Sequence, residues 1–204
     1  MSPLLRLRFA LPALVIYTTY MTERYTRLYD SGQVRQRIGE LASQIVHDHR
    51  GNDPLFVALL RGGAPFASQL MFAIRQEDPT MHPELDYMQI GTYGNTRTAG
   101  EPRIEKDLSR DTAVFGRTVI VLDDVLDLGR TAHFVEQHLL QLDATNIELA
   151  VLASKDVTRD YPIVPQYVGF NTGDKWLVGM GMDDGQAGHE HYRWHDEILE
   201  VKQD

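Results

Sequence analysis

The run Val119-Ile120-Val121-Leu122-Asp123-Asp124-Val125-Leu126-Asp127-Leu128-Gly129-Arg130-Thr131 holds the densest chemistry in the chain. A hydrophobic strand delivers two adjacent acids, then a third acid, then a glycine and a threonine that open a helix. Backbone amides at a helix N-terminus form a ready anion site, and a glycine there lets the anion approach closely. Thr131 adds a hydroxyl donor. The acids suit a different partner, either sugar hydroxyls or a hard cation such as magnesium that prefers oxygen ligands. One turn thus accommodates a phosphorylated sugar, its hydroxyls toward the acids and its 5-phosphate on the helix. The glycine-x4-glycine-lysine spacing of a Walker A loop is absent. The plainer reading makes Asp127 a helix cap and leaves Asp123 and Asp124 solvated, since capping acids are common. The complete succession is much rarer than a capping acid, and it favours the functional reading.

A second candidate is Leu60-Arg61-Gly62-Gly63. It follows a buried apolar run, two glycines permit an unusual backbone, and Arg61 offers a positive fork for a diphosphate. Standing alone, it would read as an ordinary strand-to-helix turn with a surface arginine.

The elements that position these residues follow from periodicity. Val34, Ile38, Leu41, Ile45 and Val46 recur at helical spacing between Gln33 and His49. Gly51-Asn52-Asp53-Pro54 breaks the chain, and Leu55 to Leu60 reads as a buried strand. Pro65 to Ile74 reads as a helix and Leu85 to Ile90 as a strand, followed by a polar, glycine-punctuated stretch to Arg103. Thr118 to Leu122 is the clearest strand, and the helix after it carries Phe134, Val135, Leu139 and Leu142. Ile147 to Leu152 is another strand, with shorter candidates at Val168 to Phe170 and Leu177 to Met180. Strands alternating with amphipathic helices predict a doubly wound α/β domain with a largely parallel sheet. Ligands of such sheets bind at the carboxyl ends of strands, near a switch in strand order.

Composition narrows the options. A chain of 204 residues with 43% hydrophobic and 24% charged residues is suited to one globular domain. A net charge of −9 argues against a broad nucleic-acid footprint. With no cysteine, disulfides, thiolate nucleophiles and cysteine-ligated zinc are excluded. Leu4 to Tyr20 is apolar behind Arg6 and Arg8, but Pro12 interrupts it and no small-x-small cleavage site follows. It is also too short and basic to span a bilayer. Residues 1–20 are therefore read as an extension upstream of a natural start at Met21, residues 21–204 as the domain, and the location as cytoplasmic, away from any membrane.

From Leu28 to Val201 the chain resembles the type I phosphoribosyltransferases, and among them the hypoxanthine-guanine phosphoribosyltransferases, with the segment Val119 to Thr131 as their phosphoribosyl pyrophosphate motif. The resemblance implies a twisted, mostly parallel sheet flanked by helices, with a small hood built from the N- and C-terminal segments. It implies purine salvage: a 6-oxopurine (hypoxanthine, guanine or xanthine) and phosphoribosyl pyrophosphate give the nucleoside monophosphate and pyrophosphate, with Mg2+. By the same resemblance Asp123 and Asp124 face the ribose hydroxyls and the metal, and Asp127 accepts the proton at purine N7. Asp127, Leu128, Gly129, Arg130 and Thr131 cradle the 5-phosphate. Arg61, Gly62 and Arg193 meet pyrophosphate, and the Leu60-Arg61 peptide is cis. Lys155 reads the exocyclic 6-oxygen; an ammonium only donates, which disfavours adenine. Trp176 stacks on the base, Leu177 offers backbone groups to its edge, and Asp183 completes the base and second metal site. Gly91 to Gly100, with Thr92 and Tyr93, is the loop that closes over the site. Relatives assemble as homodimers or homotetramers.

Two departures stand out. The family commonly has threonine or serine where this chain has Leu128, so a hydroxyl donor to phosphate is lost. The run Asp184 to Arg193 is about four residues longer than usual; its His189 and His191, with His195, read as an exposed loop rather than a metal site. The alternative function is a non-catalytic or regulatory nucleotide-binding protein of the same fold.

Overall fold

The computed structural model describes residues 23–92, 101–185 and 190–202; the expected extension 1–20 lies outside them. Strand β1 (Tyr25–Tyr29) leads into helix α1 (Ser31–Asp48). Asp30 starts that helix with a capping box: its carboxylate accepts from the Gln33 amide, and the Gln33 side chain accepts from the Asp30 amide, both at 2.9 Å. Val34, Ile38, Leu41, Ala42, Ile45 and Val46 line the buried face of α1. There follow β2 (Leu55–Leu60), α2 (Gly63–Glu77), β3 (Glu84–Thr92), β4 (Pro102–Lys106) and β5 (Thr118–Leu126). The chain continues through α3 (Arg130–Gln141), β6 (Asn146–Lys155), β7 (Tyr167–Thr172) and β8 (Leu177–Val178) to a 3-10 turn (Glu190–Trp194) and β9 (Ile198–Val201).

Six strands form one sheet in the order β4-β3-β2-β5-β6-β7, parallel throughout except for β4 against β3. Helices cover both faces, which is why β2 reads as an unbroken apolar run rather than an alternating one. Ile120 and Leu122 of β5 pack into the core beneath α1 and α2, while Val119 and Val121 pack beneath α3. Burying these residues stabilises the fold by roughly 1.5–3 kcal/mol per large side chain. Among the described residues no helix is long and apolar enough to cross a membrane.

From β2 the chain builds outward through β3 and β4, then returns to place β5 on the other side of β2. The order therefore switches between β2 and β5, and the crevice there is the expected ligand position. Arg61-Gly62 leaves β2 and Asp123-Asp124 lies near the end of β5, so both candidate motifs converge on it.

A second, antiparallel sheet joins both ends of the domain in the order β1-β9-β8. It is the hood. Strands β1, β4 and β9 are not evident from periodicity; β1 and β4 are mostly exposed or half-buried, and β1 finds its partner only in β9 at the other end of the domain. The spacing also ends the central strand too early. Strand β5 continues to Leu126, with Asp123 paired to Val151 and Val125 to Ala153. The paired acids are thus strand residues, and the turn proper is Asp127 to Gly129.

Candidate active site

At the end of β2 the Leu60-Arg61 peptide is cis. Gly62 behind it has φ −62° and ψ −47°, ordinary helical values, so backbone freedom does not explain the glycine. Space does. A Cβ on Gly62 would lie 2.0 Å from Oδ2 of Asp124, and one on Gly63 would lie 2.8 Å from the Leu122 carbonyl oxygen. Gly181, at φ +107°, presses equally closely, since its Cβ would sit 1.8 Å from the Gly62 carbonyl oxygen. Gly181, Gly62 and Asp124 thus stack in direct contact, joining the hood side of the crevice to the sheet. The Arg61 side chain beside them is exposed.

Asp123, Asp127, Leu128, Gly129, Arg130 and Thr131 line a cavity of about 160 Å³ at the start of α3. Gly129 is the N-cap, in the left-handed region at φ +80°, and no side chain caps the helix amides. The cap reading of Asp127 therefore fails. Its carboxylate instead accepts a 2.8 Å hydrogen bond from Lys155 Nζ, the last residue of β6. Asp174 lies 3.9 Å from the same ammonium. The uncapped amides face the cavity with anion-binding polarity.

The two adjacent acids divide between neighbours. Asp123 lines this cavity, whereas Asp124 lies against Gly62 and is not part of that lining. The two carboxyls also touch each other, so one pair adjoins both the cavity and the Arg61-Gly62 turn. Burial pushes the Asp123 carboxyl well above the usual range, and the charge of Asp124 adds to it. Burial also raises Asp124, partly offset by its hydrogen bonds and by Arg193. Neither acid is simply solvated.

On the hood side, Trp176 is 38% exposed, Leu177 is buried in β8, and the Trp176 carbonyl accepts from the Val201 amide at 2.8 Å. Arg193 is buried, donating to the Gly181 carbonyl and pairing with Asp183 at 3.1 Å. Of the candidate loop, Thr92 ends β3, and Tyr93 with the rest of the stretch to Gly100 lies outside the described residues, as does His189. The His195 ring stacks on Tyr192.

The description "Phosphoribosyl transferase domain" matches residues 24–184. The chain belongs to the phosphoribosyltransferase family. Among curated relatives, a hypoxanthine-guanine phosphoribosyltransferase of Streptococcus pyogenes is 32% identical over 157 residues, covering 76% of this chain and 83% of that protein. The crystal structure of a hypoxanthine-guanine phosphoribosyltransferase from Bacillus anthracis superposes with a TM-score of 0.77 at 30% identity, over 87% of this chain and 98% of that one. A hypoxanthine phosphoribosyltransferase from Staphylococcus aureus superposes with a TM-score of 0.78 at 27% identity, over 90% and 95%.

This phosphoribosyltransferase also contains site-adjacent residues that sequence reading passes over. Asp184 is fully buried and its Oδ2 accepts from Arg24 Nε at 3.0 Å, Arg24 Nη2 at 2.8 Å and the Tyr25 hydroxyl at 2.8 Å. It bolts the hood to the loop that carries Asp183. Only a helix-free, strand-free stretch of acids marks it in the sequence. For a cation, Asp123 and Asp124 are suitable: two hard oxygen donors whose burial and mutual repulsion a positive ion would relieve. Among the described residues no group of three carboxylates or imidazoles clusters around a common point.

Proposed function

We propose that the enzyme transfers the phosphoribosyl group of phosphoribosyl pyrophosphate to a 6-oxopurine, releasing the nucleoside monophosphate and pyrophosphate in purine salvage. The observation carrying this reading is the cavity in which Asp123 and Asp127 adjoin the uncapped amides of α3, with Lys155 2.8 Å from Asp127. The names of the similar proteins support the purine.

In the proposed reaction purine N9 bonds to ribose C1 as the C1–oxygen bond to pyrophosphate breaks, its electron pair leaving with pyrophosphate. Asp127 takes the proton that the purine loses, from N7, a general-base contribution of about 100-fold to 10,000-fold. Gly129, Arg130 and Thr131 hold the 5-phosphate, with Leu128 supplying its backbone only. Lys155 donates to the 6-oxygen, Trp176 stacks on the base, and Leu177 meets its edge. Arg61, Gly62 and Arg193 bind the pyrophosphate end, so positive charge lies where the leaving group gains negative charge. Asp123 and Asp124, with Asp183 at a second position, would hold magnesium, which when bound neutralises charge on the pyrophosphate. Closure of Thr92, Tyr93 and their loop excludes water from the ribosyl cation. A domain spanning 21–204, homodimeric or homotetrameric assembly and a cytoplasmic location belong to the same proposal.

The test is incubation with magnesium, phosphoribosyl pyrophosphate and hypoxanthine, guanine, xanthine or adenine in turn, with nucleotide and pyrophosphate both quantified. Stoichiometric products from the oxo bases and none from adenine are expected. Nucleotide binding without turnover would favour the regulatory alternative. Turnover of adenine alone would overturn the role of Lys155.

A further inference from the structure

The connection from β6 to β7 passes directly behind the turn that opens α3. Asp160 donates its backbone N–H to the Leu128 carbonyl oxygen at 3.0 Å. Its carboxylate accepts from Arg130 Nε. The next residue, Tyr161, stacks its ring on His133 of α3, with centroids 4.2 Å apart and planes at 16°. The Tyr161 carbonyl oxygen and the Ile163 side chain close over Gly129, at 3.4 Å and 3.6 Å from where a Cβ would stand. The connection is itself braced. Arg159 donates to the Ser154 hydroxyl at 2.9 Å and the Ile163 carbonyl at 3.0 Å, and Pro162 and Pro165 restrict its backbone.

We propose that Asp160 and Tyr161 form a positioning clasp that pre-sets the 5-phosphate turn and replaces the ordering that a hydroxyl at position 128 would supply. The reason is geometric. In a trans peptide the C=O and the following N–H point in opposite directions within one plane. Drawing the Leu128 carbonyl outward to Asp160 aims the Gly129 N–H away from the clasp, toward the cavity that Leu128 and Gly129 line. The stack on His133 fixes the first turn of α3 against the same segment, so the helix amides keep their direction before the anion arrives. Preorganised donors bind without an ordering cost. The Arg130–Asp160 pair has a second effect: it neutralises a carboxylate that would otherwise repel an anion beside the turn.

The inference rests on the turn being the 5-phosphate site, and the experiment separates the two. Binding of guanosine 5-monophosphate and of guanosine is titrated against the parent, Tyr161→Phe, Tyr161→Ala, Arg130→Met and Arg130→Met/Asp160→Asn. The clasp predicts that Tyr161→Ala weakens the monophosphate about tenfold, the scale of one hydrogen bond, without moving guanosine. Tyr161→Phe, which keeps the stack, restores parental binding. Arg130→Met loses more monophosphate affinity than the double variant, because it leaves the Asp160 carboxylate uncompensated. Equal loss of both ligands in Tyr161→Ala would reduce the segment to a structural role, and unchanged monophosphate binding there would overturn the clasp. A parent that does not prefer the monophosphate to guanosine would remove the phosphate site itself.

Discussion

Lys155 Nζ donates to Asp127 Oδ2 at 2.8 Å, so the residue proposed to read the purine is already bonded to the residue proposed to take its proton. In the proposed mechanism this pair would couple recognition to chemistry: a purine 6-oxygen that draws Lys155 away would free Asp127 for proton transfer.

Asp127→Asn should lower kcat by about 100-fold to 10,000-fold while the KM for phosphoribosyl pyrophosphate moves far less. Lys155→Met should act mainly on the KM of the base. Because the two side chains touch, the double variant should deviate from additivity by about 0.5–3 kcal/mol in kcat/KM. Additive losses would show that the 2.8 Å contact is not part of the working site.

Gly62→Ala places a methyl 2.0 Å from Asp124 at a backbone conformation alanine adopts freely, so its effect isolates crowding. It should displace the carboxylate, cost about 1–3 kcal/mol of stability by overpacking, and raise the KM for phosphoribosyl pyrophosphate. Gly39→Ala in α1 meets nothing within 4 Å and should instead stabilise by about 0.5–1 kcal/mol. Thermal melts and steady-state kinetics on both variants decide it.

Asp123→Asn removes the carboxyl whose ionisation burial and the charge of Asp124 oppose. At neutral pH, in the absence of divalent cations, the variant should melt higher than the parent, a gain of ~1 kcal/mol corresponding to about 2–4 °C. Turnover should fall at the same time. A lower melting temperature would mean that the pair is not repulsive in the free protein.

Asp184→Ala leaves the partly buried Arg24 guanidinium and the Tyr25 hydroxyl without their shared acceptor. Breaking such a pair costs about 3 kcal/mol, and the hood should loosen, raising the KM of the base more than that of phosphoribosyl pyrophosphate. Calorimetry and the two KM values test this together.

Acid stability should depend on Asp86. Burial opposes its ionisation, but donation from the Thr112 hydroxyl at 2.6 Å and the Ser109 amide at 2.7 Å outweighs it and holds the carboxyl below the usual range. With the folded value depressed, the unfolded chain binds the proton more readily. The stabilisation is present above the unfolded value near 3.9 and is lost as pH falls through the folded value. Thr112→Val should therefore lower the melting temperature at pH 6 and narrow its gap to the parent toward pH 2. A constant gap across that range would assign the effect to packing.

The alternation of the central strands and helices, the mostly parallel sheet and the acidic motif were legible in the chain itself, because apolar periodicity and a glycine-threonine helix start are local properties. Leu55 to Leu60 reads as a buried strand, bounded by Asp53-Pro54 and the Gly62-Gly63 pair, and Gly129 with Thr131 reads as the opening of a helix. The tertiary structure decided what those residues meet. Gly62 is a glycine because Asp124 crowds its Cβ position from a segment far away in sequence, not because of its own backbone angles. Asp123 and Asp124 are strand residues rather than part of the turn, because β5 proves longer than its hydrophobic run. Strands β1 and β9, the Asp184 bolt and the Asp160 clasp depend on contacts between residues more than twenty positions apart. No local pattern encodes such contacts, since their free energy exists only once the intervening chain has folded.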